Sequence, residues 1–154
     1  MTIFVPGPPV GKQSVRVNNG HAHIPRKTRS YMKLVTSIAR VQHPELIKGA
    51  FCMVISEYRQ RPQYHFGTGK NAGIVKERYR DVFCITKPDV SNVQKTVEDA
   101  LNKVAYTDDS ANVHHIHTKR YANPGERVGI YVTVEPAELG PEHTLRPEHR
   151  QEEK

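Results

Sequence analysis

The chain has little of what marks a secreted or membrane protein. It has two cysteines, Cys52 and Cys84, 32 residues apart. That spacing is no zinc-ligand pattern, and two free thiols in a reducing compartment are the expected reading. No apolar run approaches the 18 residues that a membrane-spanning helix needs. The start, MTIFVPGPPVGK, lacks a basic start followed by the long apolar stretch of a signal peptide. These absences give an expectation of a cytoplasmic protein with no membrane partner. There is no internal repeat. A phosphate-binding Walker loop is excluded as well, because Gly7 and Gly11-Lys12 stand one residue too close and Gln13 occupies the Ser/Thr position.

Positive charge is plentiful and unevenly spread. The 154 residues carry a net charge of +7 and are 36% hydrophobic, enough for one domain with one core. Residues 1–80 hold 14 Lys or Arg against 3 Glu. Residues 81–118 reverse this, with 3 Lys against 6 acids. A basic body around an acidic patch suits a polyanion partner and a cation site.

Residues 2–5 read as a first strand, and 12–25 as a hairpin turning at Asn18-Asn19-Gly20. Tyr31, Leu34, Val35 and Ile38 recur at helical spacing, which predicts an amphipathic helix over 28–41 ending at His43-Pro44. Residues 50–58 read as a core strand. Residues 59–86 then show little apolar periodicity, and their Lys and Arg are interleaved with Tyr64, His65, Phe66 and Tyr79. A loop of this length is functional or mobile, and basic residues among aromatics suit nucleic-acid contact. Residues 111–119 and 127–134 read as two strands joined by a turn at Asn123-Pro124-Gly125. The domain is expected over 1–135, with a disordered polar tail over 136–154. The class is α+β, a small mixed β-sheet with two main helices in a single domain.

The segment KPDVSNVQKTVEDALNKVAYTDDS, residues 87–110, holds Asp89, Glu98, Asp99, Asp108 and Asp109. On a helical wheel Val90, Val93, Val97, Ala100, Leu101 and Val104 form a core-facing stripe over 90–104. Ser91, Lys95, Glu98 and Asn102 share a polar side, with Asn92 and Asp99 further round. Three readings compete at the helix start. Asp89 caps the helix, or Ser91 and Gln94 form a capping box, or Asp89 binds a metal ion. Asp108 and Asp109 add further hard oxygen donors of the kind Mg²⁺ takes, and Lys95 suits a phosphate. Of the nearby histidines, His115 and His117 share a strand face while His114 points away, a weak metal signal beside the alternative of groove-lining side chains. Lys12 and Arg16 are candidate phosphate contacts.

These pieces together resemble the RusA family of Holliday junction resolvases. The resemblance rests on Phe4-Val5-Pro6-Gly7-Pro8-Pro9 with Lys12, on Lys87-Pro88-Asp89-Val90-Ser91-Asn92-Val93-Gln94-Lys95, on Glu98-Asp99-Ala100-Leu101-Asn102, and on Tyr106-Thr107-Asp108-Asp109-Ser110, with Lys119-Arg120-Tyr121 also fitting. It implies a homodimer that binds four-way or other branched DNA and makes paired nicks with Mg²⁺. Asp89 and Asp109 match the catalytic aspartates and Lys95 the active-site lysine. Asn92, Asp99 and Asp108 match motif positions of catalytic or supporting role. One departure stands out: Ser91 occupies a position where the family often has a further aspartate. Glu98, two turns away on the same helical side, is the candidate to compensate.

The expected activity is therefore that of a Mg²⁺-dependent endodeoxyribonuclease in DNA recombination and repair. Asp89, Asp109 and Asp108 are its expected metal ligands, with Glu98 and Ser91 as additional candidates. Lys12, Arg16, Lys70, Lys76, Arg78, Arg80 and Lys119 are the expected DNA contacts. The alternative is a junction- or branch-binding protein left catalytically weak by Ser91.

Overall fold

The computed structural model describes residues 1–14, 16–18, 21–43 and 45–138. Residues 19–20 of the expected hairpin turn, Pro44 after the first helix, and 139–154 of the expected tail lie outside the described residues, as does the side chain of Arg16.

In chain order the elements are β1 (Thr2–Pro6), β2 (Arg16–Asn18), β3 (His21–His23), α1 (Arg26–Gln42), β4 (Phe51–Arg59), α2 (Val90–Leu101), β5 (Asn112–Tyr121) and β6 (Gly129–Pro136). β2 and β3 pair as a small antiparallel ribbon. The other four strands form one mixed sheet in the order β1-β6-β4-β5. β4 pairs antiparallel with β6 and parallel with β5.

The core follows from alternation. Phe51, Met53 and Ile55 of β4, Ile3 and Val5 of β1, and Ile130, Val132 and Val134 of β6 all turn to one face. α1 and α2 cover that face with Tyr31, Val35 and Ala39, and with Val93, Val97, Ala100 and Leu101. On α1 the buried stripe runs through Thr28, Tyr31, Val35 and Ala39, whereas Leu34 is exposed.

The two strands expected after the acidic segment are present and the chain turns between them at Asn123–Glu126, but they are not neighbours, because β4 lies between β5 and β6. β4, α2 and β5 instead make a crossover that returns parallel, and that unit fixes the site. The second helix also stops before Val104. Asn102 is its C-cap, Lys103 takes the left-handed region at φ 59°, and Tyr106 folds back to stack on Phe51 at 4.2 Å between centroids. The Tyr106 hydroxyl donates to the Glu98 carbonyl at 2.9 Å, a second bond to an oxygen that already accepts from Asn102 N at 3.0 Å.

Residues 59–86 are not a featureless loop. They contain three single 3-10 turns, at Gln63–His65, Gly69–Asn71 and Glu77–Tyr79. Arg61 and His65 are both buried and anchor them. The Arg61 guanidinium donates to the Tyr79 carbonyl at 2.6 Å. The His65 ring lies flat on Tyr79, 4.3 Å away at an angle of 7°.

Candidate functional site

Asp89 stands at the N-cap position of α2, yet its side chain makes no capping hydrogen bond. The first turn is closed through the backbone, with Asn92 N and Val93 N donating to the Asp89 carbonyl, both at 3.1 Å. The Asp89 side chain is exposed and accepts one long contact, from Asn92 Nδ2 at 3.4 Å. Ser91 is also exposed, inside the first turn of the helix. The carboxylate oxygens of Asp89 are thus left available at the rim of a groove.

That groove, about 340 Å³, is lined by Gly11, Lys12, Lys27, Lys87, Asp89 and Asn92 among others. It exists because the segment after β1 lies directly on the start of α2. Lys12 N donates to the Asn92 carbonyl at 2.7 Å. A Cβ at Gly11 would fall 2.6 Å from Pro88 Cβ and 3.1 Å from Asn92 Cβ, so only glycine permits this approach. The Lys12 ammonium reaches along the helix to Asp99 Oδ2 at 2.7 Å. Asp99 therefore supports Lys12 in this arrangement.

Beneath the groove, buried charge holds the backbone just before Asp89. Arg59 Nη2 donates to the Pro88 carbonyl at 3.3 Å. Lys119 Nζ donates to the same carbonyl at 3.3 Å and to that of Thr86 at 2.9 Å. Arg59 Nε in turn lies 2.5 Å from Glu57 Oε1, a charge contact without good hydrogen-bond angles. The second oxygen of Glu57 meets His117 Nε2 at 3.0 Å. Glu57 is fully buried, and His117 nearly so. Burial, together with the Glu57 charge, pushes the Tyr31 hydroxyl well above its ordinary pKa. Glu57 and Arg59 are residues that sequence reasoning missed, and His117, read there as groove-lining or as a weak metal signal, is the buried partner of Glu57. The signal was present, because Glu57 and Arg59 continue the inward alternation of Phe51, Met53 and Ile55.

Asp109 belongs to the opposite end of α2. It begins a 3-10 turn, Asp109–Ala111, just before β5. Asp108 caps that turn by accepting from Ser110 N at 2.8 Å, and the Ser110 hydrogen bonds hold its carboxyl below the usual range. Burial raises the Tyr106 hydroxyl, and the nearby charges of Glu98, Asp109 and Asp99 raise it further. Glu98 accepts from Gln94 Nε2 at 3.0 Å and from Asn112 Nδ2 at 3.2 Å, with His115 Nδ1 at 3.8 Å. Burial lowers the pKa of His115 more than Glu98 raises it. β5 then runs back along α2, so that Asn112 meets Glu98 at one end while Lys119 meets Pro88 at the other. Glu98 is nine residues beyond Asp89, about 13 Å of helical rise. One chain thus holds Asp89 and Asp109 at opposite ends of α2. Among the described residues no three His, Cys, Asp or Glu side chains are arranged to hold a metal ion. Lys95 is exposed on α2 between the two ends.

The expected DNA contacts divide in two. Lys119 faces backbone carbonyls, Lys76 Nζ donates to the Tyr64 carbonyl at 3.1 Å, and Arg80 pairs with Glu77 at 2.6 Å. The Arg78 guanidinium lies over the Tyr79 ring, 4.9 Å from its centroid. Lys70 is exposed on the second 3-10 turn.

Among the described residues no helix is long and apolar enough to cross a membrane. Residues 6–135 match the family described as Endodeoxyribonuclease RusA. The chain is also 34% identical over 133 residues to the uncharacterized protein YqaN of Bacillus subtilis (strain 168), an alignment covering 82% of this chain and 90% of that protein. With the P-D-x-x-N-x-x-K segment starting α2 and the paired aspartates in the turn just before the strand that returns beside it, the chain belongs to the RusA endodeoxyribonuclease family.

Proposed function

We propose that this protein is a Mg²⁺-dependent, structure-specific endodeoxyribonuclease that acts as a homodimer and resolves four-way DNA junctions by paired nicks. The observation that carries this reading is the uncommitted carboxylate of Asp89 at the rim of a groove lined by Lys12, Lys27 and Lys87. A carboxylate not used as a cap is a hard oxygen donor of the type Mg²⁺ prefers, and ammonium groups beside it suit a phosphate backbone. Asp89 and Asp109 would hold the ion, with Asp108 assisting. When bound, Mg²⁺ would stabilise charge on the phosphoryl group and lower the pKa of a bound water. The chain's own groups orient the strand. Lys12 and Lys87 attract the phosphates, Arg59 and Lys119 fix the backbone that presents Asp89, and Lys95 neutralises phosphate charge or the leaving oxygen.

The separation of Asp89 from Asp109 supports the dimer. Among the described residues, neither end of α2 gathers three potential metal ligands from one chain. β5 is one of the two edge strands of the sheet, β1 being the other, and is the one that lies beside α2. Antiparallel approach of two β5 edges about a two-fold axis would bring the Asp109 end of one copy to the Asp89 end of the other. Glu98 would arrive with Asp109, which is where a substitute for the missing acid at Ser91 would be needed. Two such composite sites facing two symmetric strands suit paired nicking.

A second reading, a junction binder with weak catalysis, is favoured by the exposed Ser91 hydroxyl, a far poorer ligand than a carboxylate. Cleavage of a mobile four-way junction in Mg²⁺, comparing wild type with Asp109→Asn and with gel-shift binding alongside, separates the two. Paired nicks lost in the variant while binding persists support the nuclease. Tight binding without nicks by the wild type supports the binder.

A further inference from the structure

Phe83 and Ile85 are each 88% exposed, the most exposed of the large apolar side chains among the described residues. They flank Cys84, which is buried, so the two project from a segment that is itself pinned. Cys84 Sγ lies 3.4 Å from Thr86 Oγ1, and Lys119 Nζ holds the Thr86 carbonyl at 2.9 Å. Asp89 follows Ile85 by four residues, and Lys87 stands between them in the wall of the groove. Two neighbouring apolar side chains this exposed, held out from a pinned segment, form an apolar surface suited to covering by a partner.

We propose that Phe83, backed by Ile85, is an apolar wedge that stacks on a base unpaired at the branch point of the DNA, beside the strand presented to Asp89. This inference rests on the branched-DNA reading above. Charge selects the occupant. Residues 76–87 carry four Lys or Arg against two acids, so two copies meeting face to face here would bring like charges together, whereas DNA phosphates would neutralise them. A duplex offers no open base face, but a branch point does, and base–aromatic stacking is tolerant of sequence. Apolar side chains that enter base steps also hold the DNA distorted, which gives preference for shape. Phe83 thus supplies a preference for branched over linear DNA that phosphate contacts cannot supply.

The test places 2-aminopurine at the branch point of a four-way junction and uses full-length protein in Ca²⁺, to hold the DNA uncut, comparing wild type, Phe83→Ala and Phe83→Trp. Wild type should raise the fluorescence and bind the junction in preference to linear duplex of the same sequence. Phe83→Ala should abolish the rise and weaken junction affinity roughly ten- to a hundredfold. Its linear-duplex affinity and sedimentation mass should be unchanged, and Phe83→Trp should restore the rise. A wild-type rise that Phe83→Ala retains overturns the wedge alone. A change of mass in Phe83→Ala also overturns it and identifies the patch as a contact between copies. A wild type that does not distinguish junction from duplex overturns the branched-DNA reading together with the wedge.

Discussion

Arg59 donates to the carbonyl of Pro88, the residue immediately before Asp89. The last residue of an interior strand therefore holds the residue that presents the candidate metal ligand. Arg59 is held in turn by Glu57, and Glu57 by His117. A buried chain of charges of this kind contributes little net stability over an apolar core, but losing one member exposes the rest to an uncompensated burial.

Removal of Arg59 should accordingly be severe. Arg59→Met leaves the Glu57 carboxylate buried beside His117 alone and should destabilise the fold by about 3–5 kcal/mol. The double variant Glu57→Met/Arg59→Met should recover much of that loss while leaving cleavage impaired, because Pro88 loses a donor either way. Urea denaturation and junction cleavage on the three proteins check both parts.

Lys119 and Lys70 should behave differently although both are cations. The Lys119 ammonium serves two backbone carbonyls, so Lys119→Ala should lower the cleavage rate with little change in the salt dependence of junction binding. Lys70 is exposed, and a phosphate contact from it should shift the slope of log K against log salt by about one unit when removed. Gel-shift titrations across salt concentrations read both slopes.

Gly11→Ala should open the groove. The added methyl would meet Pro88 Cβ at 2.6 Å, inside van der Waals contact, and the neighbouring atom belongs to a rigid proline ring. Overpacking of this kind costs about 1–3 kcal/mol. The Lys12–Asn92 backbone bond should weaken with it, seen as faster amide exchange at Lys12.

The loop should loosen on mild acidification. Burial first, then the positive charges of Arg61 and Lys76, lower the pKa of His65 from its usual 6.5. The unfolded chain therefore binds the proton more readily than the folded one. The stability is complete above about pH 6.5 and is lost as pH falls through the lowered folded value. His115 shifts in the same direction. The difference between wild type and His65→Phe isolates the loop. Thermal melts at pH 7.5 and pH 5 should show the wild type losing more stability than the variant.

The sequence made local features legible and distant ones much less so. β1, β4 and the two helices follow from alternation and from helical spacing, both carried within one segment. The place of β5 was not readable, because parallel pairing with β4 is set by how α2 packs. The end of α2 was misjudged for a related reason. Val104 fits the apolar spacing, but Tyr106 gains more by stacking on Phe51, so the chain turns at Lys103. In the candidate site, the P-D-x-x-N-x-x-K and D-D segments identified the acids, and Asp89 proved not to cap by its side chain. Glu57 and Arg59 were passed over because Arg59 reads as the start of the basic loop, and the partner that Glu57 finds in His117 lies on another strand. The separation of Asp89 from Asp109 depends on the direction of β5, a tertiary fact that neither segment encodes.

The central claim, a nuclease site completed by two copies, is tested most directly by subunit mixing. Asp89→Asn and Asp109→Asn proteins would be assayed on a mobile four-way junction in Mg²⁺, separately and after mixing under conditions that exchange subunits. The account predicts that neither protein nicks alone and that the mixture nicks one strand per junction. The mixed dimer would carry one composite site with both aspartates intact. A mixture as silent as its components, with both proteins still binding the junction and exchanging subunits, would contradict it.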